Sequence, residues 1–309
     1  MTAAHRLFVI LVVFTSVCIY ICVKQLTGKH IEDKLFESDH LTTKNLQYKV
    51  PNIVHYIWYS RKPTTWNFIQ YLSILSASKF IRPSRIMFHT NCTPNGHYWN
   101  RTTEISDFEI IHRSPTRSLF GKQIRFPFED ISASDIDRLI ILNRTGGIYL
   151  DTDVIALRSF DPLRVYSFTM GSESLNETVL LCGGIIISEP GSKFLKIWIN
   201  NFVDDQRSKW AYNSGRMADK IASRFPEDIH IEMTSLNRPS PKEIDLIFAT
   251  NYNWHNNYAI HLFVRKWKGH IPTEREINES DTTFGDISRS VLYGTIDLQE
   301  DKIMKNDLP

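Results

Sequence analysis

The stretch Ser134-Asp135-Ile136-Asp137-Arg138-Leu139-Ile140-Ile141-Leu142-Asn143-Arg144-Thr145-Gly146-Gly147-Ile148-Tyr149-Leu150-Asp151-Thr152-Asp153 reads as a helix, a tight turn and a buried strand that ends on two carboxylates. Ile136, Leu139 and Ile140 form an apolar stripe that can lie on a sheet. Asp135 and Arg138, three residues apart, share another face of the same helix. Gly146-Gly147 permits the helix-to-strand turn. In a strand, side chains two apart point the same way with Cα atoms about 6–7 Å apart, so Asp151 and Asp153 are aimed together. Two carboxylates so placed repel unless a cation lies near them. Oxygen ligands favour a hard divalent ion, Mn2+ or Mg2+, and a diphosphate can supply further oxygens. The end of a strand is also where open α/β sheets bind ligands.

Working outward, the chain before this block alternates strands and helices. Asn52-Ile53-Val54-His55-Tyr56-Ile57-Trp58 reads as a buried first strand, residues 67–79 as a helix, Arg85-Ile86-Met87-Phe88-His89 and Phe108-Glu109-Ile110-Ile111 as further strands, and residues 132–142 as the helix of the central block. Beyond it, residues 179–188 are strand-like, and Phe194, Ile197, Trp198 and Phe202 give one apolar face to a helix. Such alternation predicts an α/β fold with a mostly parallel sheet flanked by helices. The polar, Asp-rich residues 278–309 read as a C-terminal tail without a role.

At the other end, residues 7–23, LFVILVVFTSVCIYICV, form an uncharged run between Arg6 and Lys24. As a helix it would be about 25 Å long, enough for a thin bilayer. No small-residue cleavage pattern follows it, so it reads as a transmembrane anchor rather than a signal peptide. The expected organisation is a cytoplasmic tail (1–6), an anchor (7–23), a stem (24–49) and a catalytic domain (50–277). Asn-x-Ser/Thr sequons at Asn91, Asn100, Asn143, Asn176 and Asn278 suit a lumenal body. Asn143, expected in the cleft, should stay unmodified. In an oxidising lumen Cys92 and Cys182 could pair, which spacing alone does not decide. A net charge of +2, with both signs interleaved, gives no basis for nucleic-acid binding.

The pattern Asp135-x-x-Arg138 followed by Gly146-Gly147-x-Tyr149-x-Asp151-x-Asp153 resembles the DXD-containing sugar-binding region of glycosyltransferase family 32. Val50-Pro51-Asn52-Ile53-Val54-His55-Tyr56-Ile57-Trp58 is similar to that family's first strand. Phe202-Val203-Asp204 with Trp210, and Tyr258-Ala259-Ile260-His261 followed by Trp267, are similar to its α1,4-galactosyltransferase and α1,4-N-acetylglucosaminyltransferase branch. The resemblance implies a GT-A-type fold, a type II Golgi membrane protein and transfer with retention of configuration. A nucleotide-sugar would be the donor and a glycolipid or glycan the acceptor. It places Asp151 and Asp153 on the metal and the donor, with His261 as a third metal ligand or a diphosphate contact. Asp135, Arg138 and Tyr149 fall at the donor, and Trp58 on the nucleotide base. Cys182 stands where related enzymes often carry Asn, on the acceptor side. Glu173 and Glu177 are candidate bases that no feature of the sequence singles out. A non-catalytic sugar- or nucleotide-sugar-binding relative is the alternative reading. A glycoside hydrolase fits less well, because its two carboxylates must flank a bond rather than point the same way.

Overall fold

The computed structural model describes residues 47–123, 129–174, 180–202 and 215–298. The candidate anchor, Glu177, Asn176, the Val203-Asp204 pair and Trp210 lie outside them. Among the described residues no helix is long and apolar enough to cross a membrane.

Strand β1 is Ile53–Trp58, followed by helix α1, Phe68–Ser76. Asn67 caps α1 by accepting from the Gln70 amide, while the Gln70 side chain accepts from Asn67, so two otherwise unpaired N–H groups are satisfied. One wider turn, Ala77–Ile81, then ends at Arg82 in the left-handed region. Next come β2 (Arg85–Thr90), α2 (His97–Thr103), β3 (Phe108–His112) and a small hairpin of β4 (Ser118–Leu119) and β5 (Lys122–Gln123). The central block gives α3 (Glu129–Thr145) and β6 (Gly147–Leu150), then β7 (Val154–Ala156). β8 (Phe168–Ser172), β9 (Leu181–Ser188), α4 (Lys193–Asn200), α5 (Met217–Arg224) and β10 (His230–Glu232) follow. The chain continues through α6 (Asp245–Phe248), β11 (Ala259–His261) and α7 (Thr283–Tyr293).

Seven strands form one sheet in the order β10-β8-β9-β6-β1-β2-β3. Every pairing is parallel except those of β9, which runs antiparallel to both β6 and β8. The mostly parallel α/β architecture expected from the sequence is therefore present. Strand alternation splits the interior in two. Val54, Tyr56, Ile86, Phe88, Ile148 and Leu150 pack on α1, α7 and the β7–β11 ribbon, whereas Ile57, Tyr149, Ile186 and Met170 pack on α3, α4 and α5.

The turn into β6 needs its two glycines. Gly146 and Gly147 have φ of +63° and +113°, and a Cβ on Gly147 would lie 2.6 Å from the Ile53 carbonyl oxygen. β6 is thus pressed against β1 at its start, and its far end reaches the edge where all the parallel strands finish.

Two expected boundaries change, and the cysteine pairing that spacing left open is absent. Residues 278–309 are not merely a polar tail: α7 buries Phe284, Ile287 and Val291 in the core and is capped by Thr282 and by Gly294 in the left-handed region. The folded body also includes Lys49, whose amide donates to the Arg164 carbonyl, one residue before the expected start of the catalytic domain. Cys92 and Cys182 are both free thiols.

Candidate metal and donor site

β6 delivers Asp151 to the sheet edge, where its amide continues the ladder by donating to the Gly184 carbonyl of β9 at 2.8 Å. Two residues on, Asp153 precedes β7. β11 lies antiparallel to β7 with His261 opposite Val154, and the Leu262 amide donates to the Asp153 carbonyl at 2.9 Å. The small ribbon therefore brings a histidine over one hundred positions away in sequence onto the two aspartates. Asp151, Asp153 and His261 each offer one ligand atom, all within 4.8 Å of one another.

Each carboxylate has one oxygen held by the protein. Asp151 Oδ1 accepts from the Tyr149 hydroxyl at 2.6 Å and faces Arg138 Nη1 at 3.3 Å. Asp153 Oδ2 accepts from the Val264 amide at 3.1 Å. The remaining oxygens turn toward His261 Nε2, Asp151 Oδ2 at 3.9 Å and Asp153 Oδ1 at 3.2 Å. Burial would raise the Asp153 pKa, but His261 and the Val264 amide hold it below the usual carboxylate value. Burial likewise opposes charge on His261, yet Asp153 outweighs it and keeps the imidazole well above 6.5. Two carboxylate oxygens and an imidazole nitrogen, held on one side with water able to reach the aspartates, fit Mn2+ or Mg2+ with open positions for a diphosphate.

Arg138 ties the site together. Its guanidinium donates to the Gly183 carbonyl at 2.6 Å, pairs with Asp135 Oδ1 at 2.8 Å and lies 4.4 Å over the Tyr149 ring. Nε and Nη2 donate to the Ser134 carbonyl and hydroxyl. With its side chain only 7 % exposed, this is no surface ion pair. It fixes α3, β6 and β9 to one another.

Trp58, at the same sheet edge, is half-buried. Its indole N–H donates to Thr64 and its ring meets Trp66 edge-on, so part of it belongs to the core. Trp267 is a wall residue as well, stacked on Phe248. Asn143 is not in the cleft. It lies eight residues beyond Asp135 along α3, about 12 Å down the helix axis, toward the opposite edge of the sheet. Glu173 borders the site beside Cys182; burial raises its pKa.

One structural residue went unassigned in the sequence reading. Asp137 is fully buried and accepts from the Tyr59 hydroxyl, Arg113 and the Thr116 amide, pinning the segment after β3 over the sheet edge. An acid set among Ile136, Leu139 and Ile140 was the available signal, since a buried carboxylate must be paired.

The profile of the glycosyltransferase sugar-binding region containing the DXD motif matches residues 37–169, which include Asp135, Arg138, Asp151 and Asp153. Glucan organizing enzyme 1 of Cryptococcus neoformans var. grubii is 28 % identical over 196 residues, covering 59 % of this chain and 52 % of the relative. The chain thus spans about half the length of that curated relative. Among solved structures, PaToxG glycosyltransferase is similar with a TM-score of 0.42 and 18 % identity over 58 % of this chain and 70 % of that one. The galactosyltransferase LgtC, solved with donor and acceptor sugar analogs, gives 0.37 and 12 % over 77 % and 95 %.

Proposed function

We propose that this chain is a metal-dependent GT-A-type glycosyltransferase that moves a hexose or N-acetylhexosamine from a nucleotide-sugar, a UDP-sugar by its branch resemblance, to a glycolipid or glycan. The observation that carries the reading is the convergence of Asp151 Oδ2, Asp153 Oδ1 and His261 Nε2, each carboxylate having its other oxygen restrained. A divalent ion bound there would neutralise charge on a departing diphosphate. The match over residues 37–169 supports the same class.

The chain's own groups divide the remaining work. Arg138 has its N–H groups committed to protein partners, so it acts as a positioning residue that holds Asp135 and Asp151. The second oxygen of Asp135 is left to accept from sugar hydroxyls. Tyr149 orients Asp151. Trp58 offers the exposed part of its indole to the base. In a retaining transfer the glycosyl centre passes through an oxocarbenium-like state. The acceptor hydroxyl attacks from the face the diphosphate leaves, and its proton passes to the departing phosphate. The uncharged run at residues 7–23 and the sequons support a type II Golgi protein with this body in the lumen.

The test is release of nucleoside diphosphate by the detergent-solubilised full chain. UDP-galactose, UDP-N-acetylglucosamine, UDP-glucose and GDP-mannose are each supplied with Mn2+ and a mixed glycolipid acceptor pool. Turnover of one donor that stops with chelator and in Asp153→Asn supports the reading. Donor binding without turnover would move the assignment to a non-catalytic sugar-nucleotide binder.

A further inference from the structure

Four of the five sequons, at Asn91, Asn100, Asn143 and Asn278, lie in the described residues, and the fold treats their side chains differently. Asn100 and Asn143 begin the same tripeptide, Asn-Arg-Thr. On α2, Trp99 and Thr102 are buried while Asn100 is exposed. Among the described residues its side-chain amide has no hydrogen-bond partner. Asn143 lies near the end of α3, where its carbonyl accepts from the Gly191 amide at 2.9 Å and its Oδ1 is buried. Asn278 likewise has a buried Oδ1, and the carbonyl of Ser280 in its sequon accepts from the buried Arg289 guanidinium at 2.8 Å. Asn91 is exposed, yet both ends of its amide are engaged. Its Oδ1 accepts from the Ser60 amide at 3.0 Å, and its Nδ2 donates to the Ser60 carbonyl at 3.1 Å.

N-glycosylation joins C1 of an oligosaccharide to Nδ2. The C1–O bond to a lipid diphosphate breaks, the diphosphate leaves, and Nδ2 gives up one proton. The product is a secondary amide, which is trans, so C1 takes the hydrogen position on the same side as Oδ1. Asn91 uses that same-side hydrogen, since its two bonds go to the N–H and C=O of one residue. Where Oδ1 is buried, as at Asn143 and Asn278, a sugar beside it runs into the protein. We propose that, of these four, Asn100 alone carries an N-linked glycan in the folded protein, an inference that rests on the lumenal placement of the body given above. Sugar is added before the chain has folded, so either Asn-Arg-Thr can receive it, and the fold decides which glycoform is retained. A glycan on Asn91 would open the clamp that joins the ends of β1 and β2, two residues from Trp58. On Asn143 it would lift the end of α3 from Gly191, just before the Gly146-Gly147 turn. On Asn100 it stands out into solvent.

The experiment expresses the full chain in cultured mammalian cells and takes the detergent-solubilised, monodisperse fraction. Peptide N-glycanase in 18O-labelled water then converts each glycosylated Asn to labelled Asp, which peptide mass spectrometry locates. The label should appear at Asn100 in most chains and be about tenfold rarer, or rarer still, at Asn91, Asn143 and Asn278. Equal label at Asn100 and Asn143 would overturn the proposal, because their tripeptides are identical and only the fold distinguishes them. So would label at any of the other three with Asn100 bare. Label at none of the four would overturn it as well, and protease treatment of sealed microsomes would then say whether the lumenal placement falls with it: a digested body removes that placement, and a protected body leaves it standing.

Discussion

His55 and His89, on β1 and β2, and His261, at the end of β11, are buried alike, at 0 %, 4 % and 6 % exposure, yet their protons behave in opposite ways. Burial is the largest influence on all three, and it disfavours charge. For His55 it prevails and the pKa falls to about 4; for His89, with His55 beside it, the pKa falls to about 3. His261 faces a carboxylate at 3.2 Å and is driven upward instead. The neutral pair also has a fixed proton order. The Gly146 carbonyl can only accept, so His55 Nε2 carries hydrogen and donates at 3.0 Å. His55 Nδ1 is then bare and accepts from His89 Nε2 at 3.1 Å. Burial alone does not tell a structural histidine from a ligand; the charge of what it faces does.

The largest test of this contrast is Asp153→Asn. It removes one of the carboxylates proposed to hold the metal and the group that holds His261 protonated, so His261 should come to resemble His55. Transfer should fall at least about 1000-fold, roughly 4 kcal/mol of transition-state stabilisation, read as initial rates of nucleoside diphosphate release. A fall of less than tenfold would mean the aspartate is not at the reacting centre. Gly184→Ala should come next. A Cβ there would lie 2.5 Å from His261 Cε1 and 3.1 Å from Asp151 Oδ2, so the ligand set must spread, and Mn2+ affinity should drop about 10–100-fold by calorimetry. An unchanged affinity would show that the ring can move freely.

The histidine pair sharpens the comparison from the other side. Its folded pKa values lie below the unfolded value of about 6.5. The unfolded chain therefore binds more protons on acidification, and the stability the pair provides is complete above about pH 6.5 and declines as pH falls toward 4 and then 3. The loss should be on the order of 3 kcal/mol for each histidine, about 6 kcal/mol for the pair, seen as a falling midpoint in denaturant titrations between pH 7 and 4. A flat profile would show the pair already protonated or exposed. For His261 the sign reverses. Because Asp153 keeps His261 protonated, Mn2+ binding should release that proton, so calorimetric heats at pH 6 should differ between buffers of different ionisation enthalpy. Identical heats would contradict the assignment of His261 as a ligand. At the bottom of the scale, Arg85→Ala breaks a pair with Glu109 in which both side chains are more than 40 % exposed, and stability should change by under about 1 kcal/mol.

What could be read from the sequence follows the range of the interactions. β1, α1, β2, α3 and β6 carry their signals locally: a β-branched and aromatic run, the Asn67–Gln70 cap, the Gly146-Gly147 turn. Asp151 and Asp153 were legible because strand alternation alone aims them together. His261 needed a second strand from far along the chain, and only the resemblance pointed to it. The partner of Cys182 proved to be an imidazole rather than Cys92, a choice fixed by β9 pairing with β6 and β8. α7 was hidden because its surface is polar; Phe284, Ile287 and Val291 recur at helical spacing, which a composition reading passes over. Asp137 shows the same lesson, since its partners Tyr59, Arg113 and Thr116 come from β1 and the segment after β3.

The most direct test of the central claim is calorimetric titration of UDP-galactose and UDP-N-acetylglucosamine into the full-length protein, with Mn2+ and again with chelator. The account predicts saturable binding of at least one donor with Mn2+, lost with chelator and lost in Asp153→Asn. Binding that is equally tight without a metal, or that survives in the mutant, would contradict it.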